Sequence, residues 1–475
     1  MNVSFLQELL NTVAEQGRNL IPWTARTADS AADIRELSRA LVSGRGEASG
    51  VALARQILAC YRDLTLDQRR DFFRFLADEL VPDPAAVKQA VEAWRQHADP
   101  ASLARLQAAV ESPRQEFFRR LNLAPGGTAA IVALRHDLLR LAKGDRALAL
   151  VDDDLMHLLS SWFNRGFLVL KRIDWQTPAA ILEKIIAYEA VHEIRGWDDL
   201  RRRLDPADRR CFAFFHPALV DEPLIFVEVA LTREPPEAIG EVLSEPAKPG
   251  VIQGPATAVF YSISNCQEGL KGISFGNFLI KQVAEDLSRE NPTLKTFVTL
   301  SPVPHFARWL DRTLASDTTG LVSGEDRRRL DRLKDLGWHE KPEAAGELHG
   351  PLLALAAHYF LLAKADDGRP VDPVARFHLG NGARLERINW LADTSEKGLR
   401  EAHGLMVNYR YDLKEIERNH EAFANEGVVA ASRQVRAQLK SEKRVRAPEI
   451  KLLTTGGRPD SEPPTRTRPP IAADE

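Results

Sequence analysis

The chain has 475 residues, of which 44% are hydrophobic and 28% are charged. This composition is typical of a globular protein, and at roughly 150 residues per domain the length predicts two to four domains. Its 64 basic and 67 acidic side chains leave a formal charge of −3. Such a balance argues against a chain that binds nucleic acid or a membrane surface along its whole length.

Three cysteines, Cys60, Cys211 and Cys266, lie far apart in the sequence. Their odd number and wide spacing favour neither a disulfide framework nor a CxxC metal site, which predicts a reducing compartment. The N-terminal stretch carries Glu8 and Glu15 without a small-residue cleavage site, and no window reaches eighteen consecutive apolar residues. We therefore expect neither a signal peptide nor a membrane span.

The first third of the chain repeats one pattern: a capping residue, apolar residues at helical spacing, and then a Gly or Pro stop. Both Ser4 with Gln7 and Thr65 with Gln68 have the spacing of a capping box. The apolar stripes are Leu6, Leu9, Leu10 and Val13; Ile34, Leu37 and Leu41; Phe72, Phe73, Leu76 and Leu80; and Val87, Val91 and Trp94. Because this region contains no cluster of polar side chains, we predict that residues 1–164 form an all-α helical bundle that serves packing or oligomerisation.

The spacing of apolar residues changes near Gly166 from helical to strand-like. This change indicates a second domain that contains both strands and helices. The expected elements, in chain order, are a strand at 167–173, a helix at 177–194, a hairpin of strands at 211–219 and 223–232, a strand at 257–264, a helix at 275–291, a strand at 296–301 and a helix from Pro304. The chain is therefore expected to be an α+β multidomain protein, with a mixed β-sheet and flanking helices in residues 165–440. Residues 441–475 are basic and then Pro-rich, and we expect a disordered tail there.

Three glycines, Gly269, Gly272 and Gly276, lie between the strand that ends near Ser264 and the following helix. Backbone N–H groups of such a loop converge at the N-terminus of a helix, where the helix dipole favours an anion. The loop therefore suits a phosphate, and Lys271 would add a positive charge for a pyrophosphate or ribose phosphate. A plain turn between strand and helix explains the same glycines.

The same loop also matches the G-x-S-x-G nucleophile elbow of α/β-hydrolases at 272–276, with Ser274 as the nucleophile. An elbow places its serine on the sharp turn directly after a strand. Here roughly eight loop residues separate the end of the strand from the motif. The elbow is therefore the weaker interpretation of this loop.

Two other segments are unusual for side chains that only pack. Ser301 stands where the strand at 296–301 ends, and the two prolines that follow it would hold the chain rigid and open. His378 lies in a stretch that is poor in aliphatic residues and rich in His, Asn and Tyr. Both residues are candidates for a polar active site. A helix cap at Ser301 and a structural histidine at His378 remain alternatives.

Four motifs together resemble the malonyl-CoA decarboxylase family. They are YSISNCQEGLKGISFGNFLIKQV at 261–283, TLSPVPHFARWL at 299–310, FHLGNGARLERINWLAD at 377–393 and GLMVNYRYDL at 404–413. The resemblance spans about residues 165–425. It implies an N-terminal helical domain followed by a catalytic domain with the acetyltransferase fold of the GNAT superfamily. In that fold the loop after the fourth strand holds the CoA pyrophosphate, and the pantetheine enters where the fourth and fifth strands splay apart.

Site roles follow from the resemblance at matching positions. Ser301, in Ser-Pro-x-Pro, and His378, in Phe-His-Leu-x-Asn-Gly, match the catalytic serine and histidine. Tyr411, the second tyrosine of Asn-Tyr-Arg-Tyr, matches a residue near the active site. The malonyl-CoA-binding loop matches Lys271, Gly272, Ile273, Ser274, Phe275, Gly276 and Asn277. Animal members have a glutamate where this chain has Ser274, so a role of that carboxylate is not carried over.

The resemblance implies a carboxy-lyase that converts malonyl-CoA into acetyl-CoA and CO2 through an enolate, with no metal or organic cofactor. It further implies a homo-oligomer, a dimer or tetramer, with no nucleic-acid or membrane partner. The chain ends in Ala-Ala-Asp-Glu and not in a peroxisomal Ser-Lys-Leu signal, so we expect a bacterial cytoplasmic enzyme. A GNAT-type acyltransferase that uses acyl-CoA is the main alternative, and a CoA sensor without turnover is another.

Overall fold

The computed structural model describes residues 30–43, 46–244, 254–273, 275, 279–316 and 320–439. Within these ranges, helices make up the chain from Ser30 to Trp162, and a mixed sheet with flanking helices follows. This order confirms the α+β class. The capping box at Ser4 and Gln7, the apolar stripe at 6–13 and the tail at 441–475 lie outside the described residues.

Eight helices are described in the first region. They are α1 (Ser30–Val42), α2 (Glu47–Asp63), α3 (Leu66–Glu79), α4 (Pro84–Gln96), α5 (Pro100–Val110), α6 (Pro113–Leu121), α7 (Gly127–Leu141) and α8 (Arg146–Trp162). At the start of α3, Thr65 Oγ1 accepts a hydrogen bond from the Gln68 N–H at 3.3 Å, and Gln68 Oε1 accepts one from the Thr65 N–H at 2.9 Å. This confirms the predicted capping box, which satisfies two backbone donors at the start of the helix.

Two of the predicted apolar stripes lie in the core. The stripe residues with at most 7% of their surface exposed are Ile34, Leu37, Leu41, Phe72, Phe73, Leu76 and Leu80. The stripe on α4 differs, because Val91 is 38% exposed and Val87 and Trp94 are only half-buried. α4 packs mainly on α5, and its apolar face stays partly open to solvent.

The sheet has eight strands in the described residues. They are β1 (Val169–Ile173), β2 (Arg209–Phe215), β3 (Pro223–Thr232), β4 (Thr257–Asn265), β5 (Thr296–Thr299), β6 (Ser301–Pro302), β7 (Arg384–Asn389) and β8 (Met406–Arg410). Their order is β1-β2-β3-β4-β5-β8-β6, and β7 also pairs with β8. Neighbouring strands are antiparallel except β4 and β5, which are parallel.

The helices of the second region connect and flank these strands. They are α9 (Ala179–Tyr188), α10 (Trp197–Leu204), α11 (Gly240–Leu243), α12 (Leu279–Glu290), α13 (Phe306–Ala315), α14 (Gly324–Leu330), α15 (Pro342–Leu361), α16 (Pro373–Gly380), α17 (Glu396–Ala402), α18 (Ile416–Glu426) and α19 (Arg433–Ala437). No helix in the described part of the chain is long and apolar enough to cross a membrane.

The helix predicted at 177–194 is shorter in the structure, because α9 ends at Tyr188. Directly after it, Glu189 Oε1 accepts hydrogen bonds from the N–H groups of Val191 and His192, at 2.8 and 2.7 Å. A side-chain acceptor that captures backbone donors in this way competes with continuation of the helix.

β4 and β5 run side by side at one end only. The last residues in register are Phe260 and Thr299. Beyond them β4 continues to Asn265 along β3, whereas Ser301 pairs with Val407 of β8. The pairing of the two strands therefore ends beside Ser301, and the unpaired stretch between β4 and β6 is termed here the wedge. This divergence divides the single strand expected here into β5 and β6, and it matches the splay that the family resemblance implies.

One hydrophobic core connects the helical region with the sheet. It includes Leu138 of α7, Leu155 of α8, Val227 of β3 and Leu270 of the loop after β4. A second cluster on the opposite face of the sheet joins α9 and α10 to β2. The loop after β4 is therefore packed against the helical region as well as against its own sheet.

Candidate active site

Ser301 lies at the point where β4 and β5 diverge, and its side chain is 5% exposed. The chain beside it is held by the Leu300 N–H, which donates to the Phe260 carbonyl at 2.9 Å. The Ser301 hydroxyl donates to Thr299 Oγ1 at 2.8 Å, and Thr299 Oγ1 also accepts from the Tyr409 N–H at 3.1 Å. Ser301 is thus a strand residue and not a helix cap, since α13 begins only at Phe306.

His378 lies in the last turn of α16, and both ends of this helix are capped. At its start, the Asp372 carboxylate accepts hydrogen bonds from the Ala375 N–H at 2.7 Å and from the Tyr359 hydroxyl at 3.1 Å. At its end, the His378 carbonyl accepts from the Asn381 N–H at 3.1 Å. These bonds hold the helix, and with it the imidazole, against the sheet.

Ser301, His378 and Tyr411 form a buried chain of hydrogen bonds, termed here the Ser–His–Tyr relay. Ser301 Oγ is 3.1 Å from His378 Nε2, and His378 Nδ1 is 2.8 Å from Tyr411 Oη. The three side chains are 5%, 3% and 1% exposed, in that order. The structure thus brings together the three polar residues that the sequence analysis selected from separate segments.

The directions of these hydrogen bonds determine which imidazole nitrogen carries the proton. Because the Ser301 hydroxyl donates to Thr299, its oxygen accepts the bond from Nε2–H of His378. Nδ1 of His378 is then an acceptor, and the Tyr411 hydroxyl donates to it. The proton of the imidazole therefore points toward Ser301 and the wedge.

Burial keeps this relay uncharged. Desolvation lowers the pKa of His378 from 6.5 to about 3, and it raises the pKa of Tyr411 well above 10. The imidazole also stacks on the ring of Tyr409, with centroids 4.4 Å apart and an interplanar angle of 23°. A neutral, oriented imidazole therefore contacts Ser301 near pH 7.

A cavity of about 390 Å³ lies between the loop after β4 and α16. It is lined by Leu224, Ile225, Asn265, Gln267, Glu268, Leu270, Lys271, Gly272, Ile273, Phe275, Leu279, Arg376, Phe377, Gly380 and Asn381. Four residues of the predicted binding loop are in this lining, and the other three, Ser274, Gly276 and Asn277, lie outside the described residues. Since α16 also carries His378, one helix contributes both to the cavity wall and to the relay.

Gly272 has a backbone φ of +81°, in the left-handed region that favours glycine. A Cβ at this position would lie 3.5 Å from Met156 Sδ, which is an ordinary contact distance. The backbone conformation, and not a shortage of space, therefore requires glycine here. This requirement holds with or without a ligand, so phosphate binding by the loop stays a prediction.

Two residues of the site, Thr299 and Tyr409, were not among the predicted ones. Thr299 precedes Ser301 by two positions, and Tyr409 precedes Tyr411 by two positions. Alternate residues of a strand share a face, so the period of two would have associated each of them with its predicted neighbour. For Thr299 the predicted strand at 296–301 already contained this signal. For Tyr409 the signal required knowing that the segment at 406–410 is extended.

Neither a disulfide nor a cluster of metal ligands is found in the described residues. All three cysteines are free thiols, and Cys211 and Cys266 are buried. Within the described ranges, no group of three His, Cys, Asp or Glu side chains is placed to hold a metal ion. The elbow serine, Ser274, lies outside those ranges, and the buried relay uses Ser301 instead.

Comparison with known families gives a match over two consecutive parts of the chain. The profile described as "Malonyl-CoA decarboxylase C-terminal domain" matches residues 166–449, which is more than half of the chain. The chain belongs to the malonyl-CoA decarboxylase family. The profile described as "Malonyl-CoA decarboxylase N-terminal domain" matches residues 80–163, within the helical region.

Relatives agree with this assignment. The mitochondrial malonyl-CoA decarboxylase of Anser anser anser is 38% identical over 352 residues, covering 68% of this chain and 69% of the relative. The solved malonyl-CoA decarboxylase of Rhodopseudomonas palustris is 54% identical with a TM-score of 0.84, and that of Agrobacterium vitis is 55% identical with a TM-score of 0.83. Each of the two alignments covers 86% of this chain and 100% of the solved chain.

The low pKa of His378 can be measured directly. We expect its imidazole to stay neutral from about pH 8 down to about pH 5 in the folded protein, because the charged form would be buried without solvent. The test is a pH titration of the histidine carbon resonances by NMR, with the His378 signal assigned from a His378→Gln spectrum. Since the unfolded chain binds the proton near pH 6.5, this site favours unfolding progressively between about pH 6.5 and pH 3. A His378 resonance that titrates near pH 6.5 would contradict the buried relay.

Gly272 and Lys271 give a second test at the binding loop. Gly272→Val should weaken CoA binding severely, because a β-branched residue is strained at positive φ and would displace the loop. Lys271→Ala should cost only about 1 kcal/mol, because the exposed charge is screened by solvent. Calorimetric titration with CoA compares the two, with Gly272→Ala as the intermediate case. Equal losses for Gly272→Val and Lys271→Ala would disprove this explanation of the loop.

Proposed function

We propose that this member of the family decarboxylates malonyl-CoA to acetyl-CoA and CO2 and that Ser301 and His378 are its catalytic pair. The observation that carries the proposal is the 3.1 Å contact between Ser301 Oγ and His378 Nε2 at the place where β4 and β5 diverge. A thioester in the wedge between these strands would bring its acyl group to Ser301. The relatives named above carry the name of the same reaction.

The chemistry of the substrate explains why so few groups are needed. When CO2 leaves, the electron pair of the broken C–C bond stays on the α-carbon and is delocalised into the thioester carbonyl as an enolate. This delocalisation requires the breaking bond to stand perpendicular to the carbonyl plane. The thioester is therefore the electron sink, and we propose that the reaction proceeds without a metal or organic cofactor.

The remainder of CoA would extend from the wedge toward the loop at 271–277. In this proposal the N–H groups of the loop and the exposed Lys271 bind the pyrophosphate, close to the start of α12. The cavity beside the loop has an apolar wall that includes Leu224, Ile273 and Phe377, which suits the pantetheine arm.

Stabilisation of the enolate oxygen is the largest energetic requirement of the first step. We propose that hydrogen-bond donors at the edges of the wedge bind this oxygen, as in other oxyanion holes. One such donor typically contributes about 3 kcal/mol to the transition state. The divergence of β4 and β5 makes this possible, because backbone groups beyond Phe260 no longer pair across that edge.

The second step adds a proton to the α-carbon, and the relay would supply it. Ser301 would give its hydroxyl proton to the carbon and receive the Nε2 proton of His378, while Nδ1 takes a proton from the Tyr411 hydroxyl, which regains one from solvent in the same transfer, so that no buried tyrosinate remains. Solvent returns one proton to the relay in each cycle, so that malonyl-CoA and one proton yield acetyl-CoA and CO2. The resting relay needs no buried charge at any of its members.

A product assay tests the reaction itself. The purified protein is incubated with malonyl-CoA alone, and CO2 and acetyl-CoA are measured together. We expect the two products in equal amounts without any acyl acceptor, since the thioester alone drives the chemistry. Malonyl transfer that depends on an added acceptor would instead support an acyltransferase, and CoA binding without product would support a sensor.

Substitutions test the catalytic pair. Ser301→Ala should lower kcat by about 10²- to 10⁴-fold, the range for a positioned proton-transfer group, and His378→Ala should have a similar effect. The double variant should be little worse than either single one, because the groups act as a unit.

Two control serines accompany this test. Ser262→Ala removes an equally buried serine of β4, whose hydroxyl bonds the Glu189 carboxylate at 2.8 Å, and should leave kcat near the wild-type value. Ser274→Ala should be much milder than Ser301→Ala. An active Ser301→Ala enzyme, together with a stable acyl adduct on Ser274 in mass spectrometry, would replace the relay by the elbow.

We also propose that the chain works as a homo-oligomer, a dimer or tetramer, in the bacterial cytoplasm. Three apolar side chains of the α4–α5 hairpin, Val91, Leu103 and Val110, are 38%, 40% and 48% exposed, and burial between copies would remove them from water. The free thiols suit a reducing compartment. The solved relatives at 54% and 55% identity come from bacteria.

A further inference from the structure

Arg135 of the helical region reaches the loop that follows β4. It lies on α7 and is 1% exposed. Its Nη1 donates to the backbone carbonyls of Gly269 and Lys271, at 2.8 and 2.9 Å. The other side of the same guanidinium bonds the Asp152 carboxylate of α8, with Nε at 2.6 Å and Nη2 at 3.3 Å. One buried side chain therefore connects two helices to the described part of the loop after β4.

The backbones of α7 and the loop are also in direct contact. A Cβ added at Gly269 would lie 1.9 Å from the Val132 carbonyl oxygen, far closer than any real contact. Leu270, the next residue, is 3% exposed and belongs to the core shared with the helical region. The loop is thus held against α7 by close packing and by the two hydrogen bonds from Arg135.

The Arg135 contact determines which way the loop presents its donors. A trans peptide unit points its C=O and its N–H in opposite directions. Because the Lys271 carbonyl points at Arg135, the N–H of Gly272 points away from the Arg135 guanidinium. The N–H groups of Leu270, Lys271 and Ile273 bond within the loop, at 2.9 to 3.0 Å. The Gly272 N–H is thus presented on the side of the loop opposite the Arg135 guanidinium.

The chemistry at this position requires arginine. The guanidinium is a planar fork that serves a carboxylate on one side and two carbonyls on the other. A lysine ammonium would keep the charge, but its point-like head cannot reach the same three partners in one plane. Asp152 balances the buried charge locally, so Arg135 is already neutralised and is not the group that would bind phosphate.

We propose that Arg135 is a positioning residue of the CoA site, through which the helical region sets the orientation of the loop backbone. The inference rests on the proposed CoA-binding role of the loop. It assigns the helical region a part in substrate binding, although that region contributes none of the predicted site residues.

A matched pair of variants separates positioning from general stability. Arg114 is 6% exposed and bonds Asp154, the other acidic partner on α8, at 2.7 Å. Its Nη1 also donates to two backbone carbonyls, those of Leu76 and Ala77, at 3.4 and 3.1 Å, but both belong to the helical region. Arg114→Lys therefore imposes the same chemical loss at a similar depth without touching the loop.

The experiment compares Arg135→Lys with Arg114→Lys in the full chain. We expect similar decreases in melting temperature for both variants. Only Arg135→Lys should raise the Kd for CoA in calorimetry and the KM for malonyl-CoA, roughly tenfold, which corresponds to about 1.4 kcal/mol of binding free energy. Its kcat should change much less, because the relay is untouched. Equal Kd values for CoA in the two variants would overturn the inference.

A second variant reaches the same loop without altering a charge. Gly269→Ala should also raise the Kd for CoA, because its methyl group would push the loop away from Val132. Wild-type affinity for CoA in folded Gly269→Ala protein would contradict the proposal. The measured quantity in these comparisons is CoA affinity. They therefore still test the role of Arg135 if the wild-type protein binds CoA without releasing CO2. Such a result would contradict only the proposed reaction.

Discussion

β4 and β5 remain paired only as far as Phe260 and Thr299, and the rest of the site depends on this divergence. Neighbouring parallel strands normally exchange hydrogen bonds along their shared length, which leaves no room for a ligand inside a sheet. Here β8 pairs with the other edge of this chain both before and after Thr299, so the wedge forms without leaving the second strand unsupported. Ser301 stands at the apex of this wedge. Its hydroxyl bonds Thr299 and His378, while its backbone stays fixed by β8.

The relay behind Ser301 is compatible with deep burial because its members are neutral. A buried imidazolium would cost several kcal/mol in lost solvation, whereas a neutral imidazole can still donate through Nε2–H. An enolate carbon is basic enough to accept a proton from an uncharged hydroxyl, so a strong acid is not needed. Stacking on Tyr409 and the bond to Tyr411 orient the ring, and thus the same burial that lowers the pKa of His378 also fixes its geometry.

The helical region and the loop after β4 share one core. The helical region therefore contacts the proposed ligand site and does not serve packing alone. The Arg135 contact spans 134 positions of sequence, and the close approach of Gly269 to α7 leaves no space for a side chain between them. A loop that must present backbone donors needs its carbonyl groups satisfied elsewhere, since both are strong hydrogen-bonding groups. The helical region provides that partner through Arg135, which in the proposed CoA site links assembly of the fold to the shape of the loop.

Local patterns in the sequence were sufficient for the order of helices and sheet, for the capping box at Thr65, and for the strands β2 to β4, because each has a cause within a few residues. Local sequence made Ser301 and His378 candidates for a polar site, and motif resemblance gave them their roles and added Tyr411. The strands β7 and β8 were not predicted, since their stability comes from pairing with each other and with distant strands. Arg135 was not among the residues that the sequence analysis selected. Its partners became apparent only in the tertiary structure, because they are backbone carbonyls of a distant loop. Packing of the whole core brings that loop to α7, and no local spacing in the sequence encodes such packing.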